Sequence, residues 1–317
     1  MSGIDGLREI KRICPDTVVI MITAYEDIAT VVAAMKLGAY DYIVKPVHMD
    51  ALLVTIGNAL ETVRLRKEVQ ALQERYLEEN IPCFIGESSS IQSVMEFIQL
   101  VARSPDTPVL ICGETGTGKE LIASAIHYKS PNFKGPFVTL NCAAIPRELL
   151  ESELFGYERG AFSGARDTGK RGLVEQAAGG TLFLDEVGDL SPEAQAKLLR
   201  FLEAGEYYRV GGTQKLRVAT RVVSATNRDL EAMIEQGAFR KDLYYRLAVI
   251  RVDIPSLSNR PEDIVPIARY FLVQFSKKFG KTFTGIAPEA EQMLLRYAWK
   301  GNVRELRNVI ELSLIHI

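Results

Sequence analysis

The chain has little cysteine, almost no net charge and no long apolar run. Four cysteines, Cys14, Cys83, Cys112 and Cys142, are scattered through 317 residues without the short spacings of a metal site. That excludes a disulfide scaffold or a zinc module and predicts reduced, buried thiols in a cytoplasmic setting. Basic and acidic residues nearly cancel to a formal charge of -2, which excludes a strongly basic nucleic-acid-binding surface as the dominant feature. No apolar stretch reaches the roughly 18 residues of a membrane span. The opening "MSGIDGLREIKR" lacks the apolar core of a signal peptide. Internal repeats and low-complexity segments are missing as well. What is present, 47% hydrophobic and 25% charged residues, is ordinary for a globular protein of two or three domains.

The apolar pattern changes period along the chain. "TVVIMITAY" and "YDYIVKPV" are short and β-rich. They alternate with the helical "DIATVVAAMKLGA" and with "DALLVTIGNALETVRLRKEVQALQERYLEE", which opens at Asp50 as an N-cap. Beyond Leu60 that long helix becomes highly charged. Leu65, Val69, Leu72 and Tyr76 leave a narrow apolar stripe on it, read either as a seam for a partner helix or as a solvated connector. "NIPCFIGESSS" breaks the helix. A second α/β pattern then runs through "PFVTLNCA", "GTLFLDEV", "RVATRVVSATN" and "VIRVDIPSL", after which the strands stop. Strands alternating with helices predict a parallel α/β sheet. The expected organisation is a short α/β segment over 1–60, a helical linker over 61–82, an α/β body over 83–254 and a small all-helical piece over 255–317.

"PVLICGETGTGKELIASAI" places Gly113, four residues, then Gly118 and Lys119 between an apolar strand and a helix. That context turns a glycine pattern into a phosphate-binding loop. Glycines let backbone N–H groups converge on phosphate oxygens, the helix N-terminus adds its positive end, and Lys119 reaches the β- and γ-phosphates. Gly113, Glu114, Thr115, Gly116, Thr117, Gly118 and Lys119 are therefore the candidate ATP cradle. The Ser or Thr that commonly follows the lysine as a Mg²⁺ ligand is Glu120 here.

"GGTLFLDEV" is an apolar strand ending in Asp185 and Glu186. At a sheet's carboxyl edge the first carboxylate is suited to hold Mg²⁺ and the second to polarise the attacking water. "SATN" ends another buried strand in Thr226 and Asn227, placed to sense the γ-phosphate. Asn141 follows the strand "FVTL" and is placed to restrain Glu186, with a turn amide as its other reading. Arg240 and Arg246 in "FRKDLYYRL" are guanidinium groups of the kind that stabilise phosphoryl-transfer charge, often across a subunit boundary, or else surface salt-bridge partners. Arg304 in "GNVRELRN" belongs to the helical piece, from which a lid reports bound nucleotide.

"ELFGYERGAFSGARDTGKRG" fits none of these roles. Gly156, Gly160, Gly164, Gly169 and Gly172 exclude a helix or strand interior, and Phe162 has no apolar neighbours at a regular period. A surface loop, a second nucleotide loop and a part that touches another molecule are the three readings. The loop from Gly113 to Lys119 already fills the phosphate role.

Together these residues resemble the sigma-54-dependent transcriptional activators, bacterial enhancer-binding AAA+ ATPases of the NtrC/DctD type, from Ile85 to about Glu311. "GETGTGKE" resembles the family's Walker A, where glutamate does follow the lysine. "GGTLFLDEVGDLSPEAQAKLLRFLEAGEYYRVGG" is similar to its Walker B and following segment, "FRKDLYYRL" to its arginine-finger segment and "WKGNVREL" to its sensor II, with Lys300 where proline is common. The resemblance implies a three-layer P-loop domain with a helical lid, and nucleotide contacts that include Ile85, Gly86 and Arg304. It also implies a hexameric or heptameric ring in which Arg240 and Arg246 complete a neighbour's site. "GAFSGA" (Gly160, Ala161, Phe162, Ser163, Gly164, Ala165) resembles the GAFTGA loop that contacts the sigma-54 subunit of RNA polymerase holoenzyme, with Ser163 for threonine.

The first residues resemble the second half of a flavodoxin-like response-regulator receiver domain, Thr23 matching its switch hydroxyl and Lys45-Pro46 its lysine and proline at the end of the fifth strand. The resemblance implies a fragment. The phosphoacceptor aspartate and acidic pair are expected upstream, with Met1 internal, and Asp5 and Asp16 do not replace them. A helix-turn-helix domain is expected downstream, and Leu312 to Ile317 fit the lid pattern poorly. A sensor histidine kinase and enhancer DNA are then partners of the full-length protein only. The alternatives are a AAA+ unfoldase or clamp-loader-like ATPase, against which "GAFSGA" argues, and a non-catalytic regulator, against which Asp185 and Glu186 argue.

Overall fold

Successive side chains of a strand point to opposite faces, so a sheet covered by helices on both sides needs apolar residues at every position. The runs "VLIC", "TLFLD" and "RVVSAT" meet that demand. In the computed structural model they form the centre of a parallel sheet. The structure describes all residues except 1–2, 15–16, 25–27, 81–85, 87, 132–133, 162–167, 284 and 317, and leaves out the side chains of 28–29, 66, 70, 73–80 and 316. The chain divides into two units, Met1–Tyr76 and Leu77–Ile317.

The first unit contains α1 (Gly3–Ile13), β1 (Ile20–Thr23), α2 (Ile28–Lys36), β2 (Asp41–Val44) and most of α3 (Met49–Asn80). Helix α3 begins one residue before Asp50, so Asp50 lies in its first turn rather than at the N-cap, still beside the positive end of the helix. β1 and β2 pair in parallel from Ile20↔Asp41 to Thr23↔Val44. The Lys45 amide donates to the Thr23 carbonyl at 2.7 Å, so the two expected switch residues are neighbours across the strand ends. Two strands bury little area. The core comprises Leu7, Ala34 and Ala39 with Val19, Met21 and Leu37 around them. Leu53, Val54 and Leu60 stay more than half exposed. Leu65, Val69 and Leu72 are exposed too, so the predicted stripe lies on the surface; the Tyr76 side chain is outside the described residues.

In the second unit, α4 (Ser89–Ala102) precedes β3 (Val109–Cys112), α5 (Lys119–Tyr128) and β4 (Phe137–Asn141). A short helix α6 (Arg147–Phe155) leads to the two-residue strands β5 (Gly156–Tyr157) and β6 (Lys170–Arg171), then α7 (Leu173–Gln176) and β7 (Thr181–Asp185). Next come α8 (Pro192–Ala204), the hairpin β8 (Glu206–Tyr208) and β9 (Lys215–Arg217), β10 (Arg221–Thr226), α9 (Leu230–Glu235), α10 (Lys241–Leu247) and β11 (Ile250–Asp253). Five of these strands form one parallel sheet in the order β11-β3-β10-β7-β4. Val109, Ile111, Phe183 and Val223 face α4 and α5, while Leu110, Leu182, Leu184 and Val222 face α6, α8 and α10, the alternation that period two requires.

The lid is α11 (Ile264–Phe279), α12 (Pro288–Arg296) and α13 (Asn302–His316), closed around Leu257, Ile267, Phe271, Trp299, Leu306 and Leu314. Leu314 is buried there, so the last turn of α13 is part of the lid core even though its sequence departs from the expected pattern.

The glycine-rich stretch that fits no secondary structure hangs on a defined base. β5 and β6 pair antiparallel, Gly156↔Arg171 and Tyr157↔Lys170, and a Cβ at Gly156 would lie 2.4 Å from the Lys170 carbonyl. The Arg209 guanidinium, beyond β8, donates to Glu158 at 3.1 Å and Glu175 at 2.9 Å, fixing the two sides of this base to the neighbouring hairpin. Gly160 and Ala161 lie at its end; Phe162, Ser163, Gly164 and Ala165 are outside the described residues.

Candidate active site

β3 ends at Cys112 and α5 starts at Lys119, so the loop between them sits at the carboxyl edge of the sheet, where α/β folds place their ligands. Gly116 and Gly118 take φ of 82° and 99°, left-handed values that a side chain resists. Thr117 is buried and its hydroxyl donates to the Glu114 carbonyl at 2.8 Å, closing the turn. Lys119 is buried in the first turn of α5, its Nζ 3.0 Å from the Gly113 carbonyl. Glycine backbone, a helix N-terminus and a lysine thus converge on one point, a donor set that fits the phosphates of a nucleotide. Glu120 is exposed at the edge of the same cavity, which measures about 920 Å³ and runs from the loop to the lid residues Phe271, Phe275 and Arg304.

Register decides what faces Lys119. Asn141 is the Cα partner of Asp185 across β4 and β7. Its amide accordingly donates to Asp185 Oδ2 at 3.2 Å, while its oxygen accepts from Ala143 and Ala144. The contact expected with Glu186 is not the one found. Glu186 follows with φ 55° and swings the other way: its carboxylate lies 3.3 Å from Lys119 Nζ and accepts from the Asn227 backbone amide at 3.0 Å. Burial and the neighbouring Glu186 hold Asp185 above the usual carboxylate range, with Lys119 opposing. Asn227 also donates through Nδ2 to the Thr115 hydroxyl at 2.8 Å. Thr226 is buried; its hydroxyl accepts from the Arg228 amide and its carbonyl from the Gly113 amide at 3.2 Å, so of that pair it is the Asn227 side chain that bonds the loop.

The remaining candidates are spread out. Gly86 packs against Asp263 with no room for a Cβ, and Ile85 is outside the described residues. Arg304 lines the cavity from α13, and its backbone amide donates to the Gly116 carbonyl at 3.3 Å. Arg240 pairs with Asp242 at 2.6 Å, and Arg246 donates to the Leu202 carbonyl at 3.0 Å; neither lines the nucleotide cavity of its own chain. Sequence reasoning missed Asn302 and Asp263, both fully buried. Asn302 joins the lid to Glu114 and Thr115, and Asp263 holds Ser88 through its backbone amide and hydroxyl. The only sequence sign of Asn302 was its place in "GNVREL". Of the cysteines, Cys142 is buried and Cys112 half-buried as expected for structural thiols, but Cys14 is exposed, and Cys83 lies outside the described residues.

A phosphate loop after β3, a carboxylate pair at the end of β7 with β10 between the two strands, and a helical lid over the cleft define a P-loop ATPase of the AAA+ class. The chain belongs to the sigma-54-dependent response-regulator family: residues 84–253 match the sigma-54 interaction domain, 258–316 the AAA+ ATPase lid domain and 1–57 the response regulator receiver domain. It is 46% identical over 319 residues to the transcriptional regulatory protein ZraR of Klebsiella oxytoca, covering 99% of this chain and 70% of that one. It is 45% identical to the regulatory protein AtoC of Escherichia coli K12, covering 99% and 68%. The crystal structure of NtrX from Brucella abortus in complex with ADP superposes with a TM-score of 0.71 at 39% identity, covering 100% of this chain and 67% of that one. These matches decide between the readings left open: the chain is a sigma-54-type transcriptional activator with an ATPase domain, and the unfoldase alternative falls away. Among the described residues no helix is long and apolar enough to cross a membrane.

Proposed function

We propose that this chain turns over ATP at the loop Gly113–Lys119 and uses the cycle to move the loop around Phe162 against the sigma-54 subunit of RNA polymerase holoenzyme, opening the promoter. The observation that carries the reading is the meeting of Lys119, Glu186 and Asn227 at the phosphate loop, inside a cavity that Arg304 closes from the lid. Lys119 exchanges Glu186 for the β- and γ-phosphates when nucleotide enters. Glu186, released, accepts the proton of the attacking water, and Asn227 reports the γ-phosphate through Thr115. Asp185 is the residue that would hold Mg²⁺, which neutralises phosphate charge when bound. The described residues offer no cluster of three or more acidic, cysteine or histidine side chains, so phosphate oxygens and water would supply the other ligands.

Arg240 and Arg246 do not line their own cavity, which suits a ring of six or seven copies in which they serve the adjacent site. Thr23 and Lys45 are the receiver's switch pair, and a sensor histidine kinase and enhancer DNA are partners of the full-length protein only. The protein works in the bacterial cytoplasm.

The test is gel filtration of the chain with purified sigma-54 and a non-hydrolysable or transition-state ATP analogue. A complex that needs the analogue, and that Lys119→Ala and Phe162→Ala both abolish, is expected. Analogue-independent binding, or binding indifferent to Phe162→Ala, overturns the reading.

A further inference from the structure

Two non-glycine residues within four positions take left-handed backbone where the last lid helix begins: Trp299 at φ 32° and Asn302 at φ 54°. Few side chains tolerate that region, and asparagine is one that does. Asn302 is also fully buried, and each polar atom of its amide is engaged. Its Oδ1 accepts from the Leu257 amide at 2.7 Å, where the α/β body passes into the lid. Its Nδ2 donates to Glu114 Oε2 at 2.9 Å and to the Thr115 carbonyl at 3.2 Å, both on the phosphate loop. Two residues further on, the Arg304 amide donates to the Gly116 carbonyl. The approach is close enough that a Cβ at Gly116 would lie 2.3 Å from the Gly301 carbonyl.

We propose that Asn302 is the positioning residue that ties the lid to the phosphate loop, so that Arg304 is held at the nucleotide in fixed relation to Lys119. The inference rests on the ATPase reading above and adds a residue to it. Apolar packing alone lets helices slide, because it is not directional. A single buried amide that bonds the loop on one side and the lid junction on the other is directional, and it moves the first turn of α13 whenever the loop moves. Breaking it leaves the Leu257 amide or the loop acceptors without their partner, which is why the effect falls on the site.

Asn302→Asp tests this. Aspartate keeps the shape, the tolerance of left-handed backbone and the acceptor for Leu257, but sets an oxygen against Glu114 and the Thr115 carbonyl. The KM for ATP is expected to rise about tenfold, the scale of one broken buried hydrogen bond. Arg304→Ala added to Asn302→Asp should then cost little more, because Arg304 is already displaced. Glu114→Gln added to Asn302→Asp should recover much of the loss, since glutamine supplies the donor that aspartate lacks. Should Asn302→Asp fail to fold, Glu114→Ala removes one of the two loop acceptors and leaves the Thr115 carbonyl, without touching the buried residue, and a smaller rise in KM with the same non-additivity with Arg304→Ala is expected. A merely structural Asn302 would lower the unfolding midpoint while leaving KM alone and Arg304→Ala fully additive; either of those last two results overturns the proposal. Absence of ATP turnover in the unaltered chain overturns the ATPase reading itself, whereas turnover with an unmoved KM overturns this inference alone.

Discussion

Lys119 Nζ and Glu186 Oε1 face each other at 3.3 Å inside the phosphate loop, with side chains 7% and 16% exposed. In the proposed reading Lys119 binds phosphate and Glu186 activates water, and the ion pair then holds each from its role until nucleotide separates them, so that nucleotide binding and activation of the base become one event.

Glu186→Gln is therefore expected to act in two opposite directions. Hydrolysis should fall by about 10²–10⁴-fold with the loss of the general base. Affinity for a non-hydrolysable ATP analogue should rise, because Lys119 no longer has to leave a buried anion. Single-turnover hydrolysis and analogue titration on the same preparation check both signs.

Arg240 and Arg246 make their contacts outside the cavity of their own chain. If they complete a neighbour's site, Lys119→Ala and Arg240→Ala chains, each inactive alone, should regain turnover when mixed. Some interfaces in the mixture then join an intact Lys119 to an intact Arg240. The loss in the Arg240→Ala chain alone should be about 10³-fold or more, as for other arginines that supply transition-state charge. A mixture no more active than its components excludes action in trans.

Acid should weaken the α/β body through His127. Its ring is 1% exposed, with Nδ1 2.9 Å from the Thr181 hydroxyl. Burial, aided by the charge of Arg221, pushes its pKa down to about 4. An unfolded histidine takes its proton near pH 6.5, the native one only near 4, so the unfolded state binds more protons between those values. The stability is complete above pH 6.5 and is lost progressively as pH falls toward 4, by about 3 kcal/mol in all. Urea unfolding of the native chain and of His127→Gln at pH 7 and pH 5 checks it; the variant should show the smaller drop.

Asp263 and Arg260 are both fully buried, with Nη1 and Oδ2 3.6 Å apart, and Asp263 also holds Ser88. Removing the carboxylate takes away a fully buried ion-pair partner of Arg260 and the acceptor of the Ser88 amide and hydroxyl. Asp263→Ala should lower the unfolding free energy of the second unit by about 3–5 kcal/mol. Ser88→Ala, which keeps the ion pair and the backbone bond, should cost only about 1 kcal/mol. Denaturation of the two variants side by side distinguishes the ion pair from the hydroxyl.

The strands of the second unit were legible because their alternate residues are apolar on both faces, and the lid because the strands stop after Asp253. The phosphate loop and the Asp185–Glu186 pair were legible for a related reason: each sits at a strand end that the pattern itself marks. The partner of Asn141 was not. Strand register pairs it with Asp185, and the left-handed turn at Glu186 sends the next carboxylate elsewhere. Thr226 and Asn227 looked equivalent in the chain, yet one hydroxyl caps a turn and the other side chain reaches Thr115.

Residue identity and spacing thus determined the chemistry: glycines that admit phosphate, a lysine to hold it, carboxylates at a sheet edge and an arginine on a separate helical piece. Those depend on conformational freedom, charge and period, which neighbours along the chain convey. Which groups meet was decided by packing. Lys119 with Glu186, Asn302 with Glu114 and Asp263 with Ser88 are all distant in the chain, and each pair depends on strand register or on the docking of the lid. Register and docking come from contacts between elements, and no local pattern carries them.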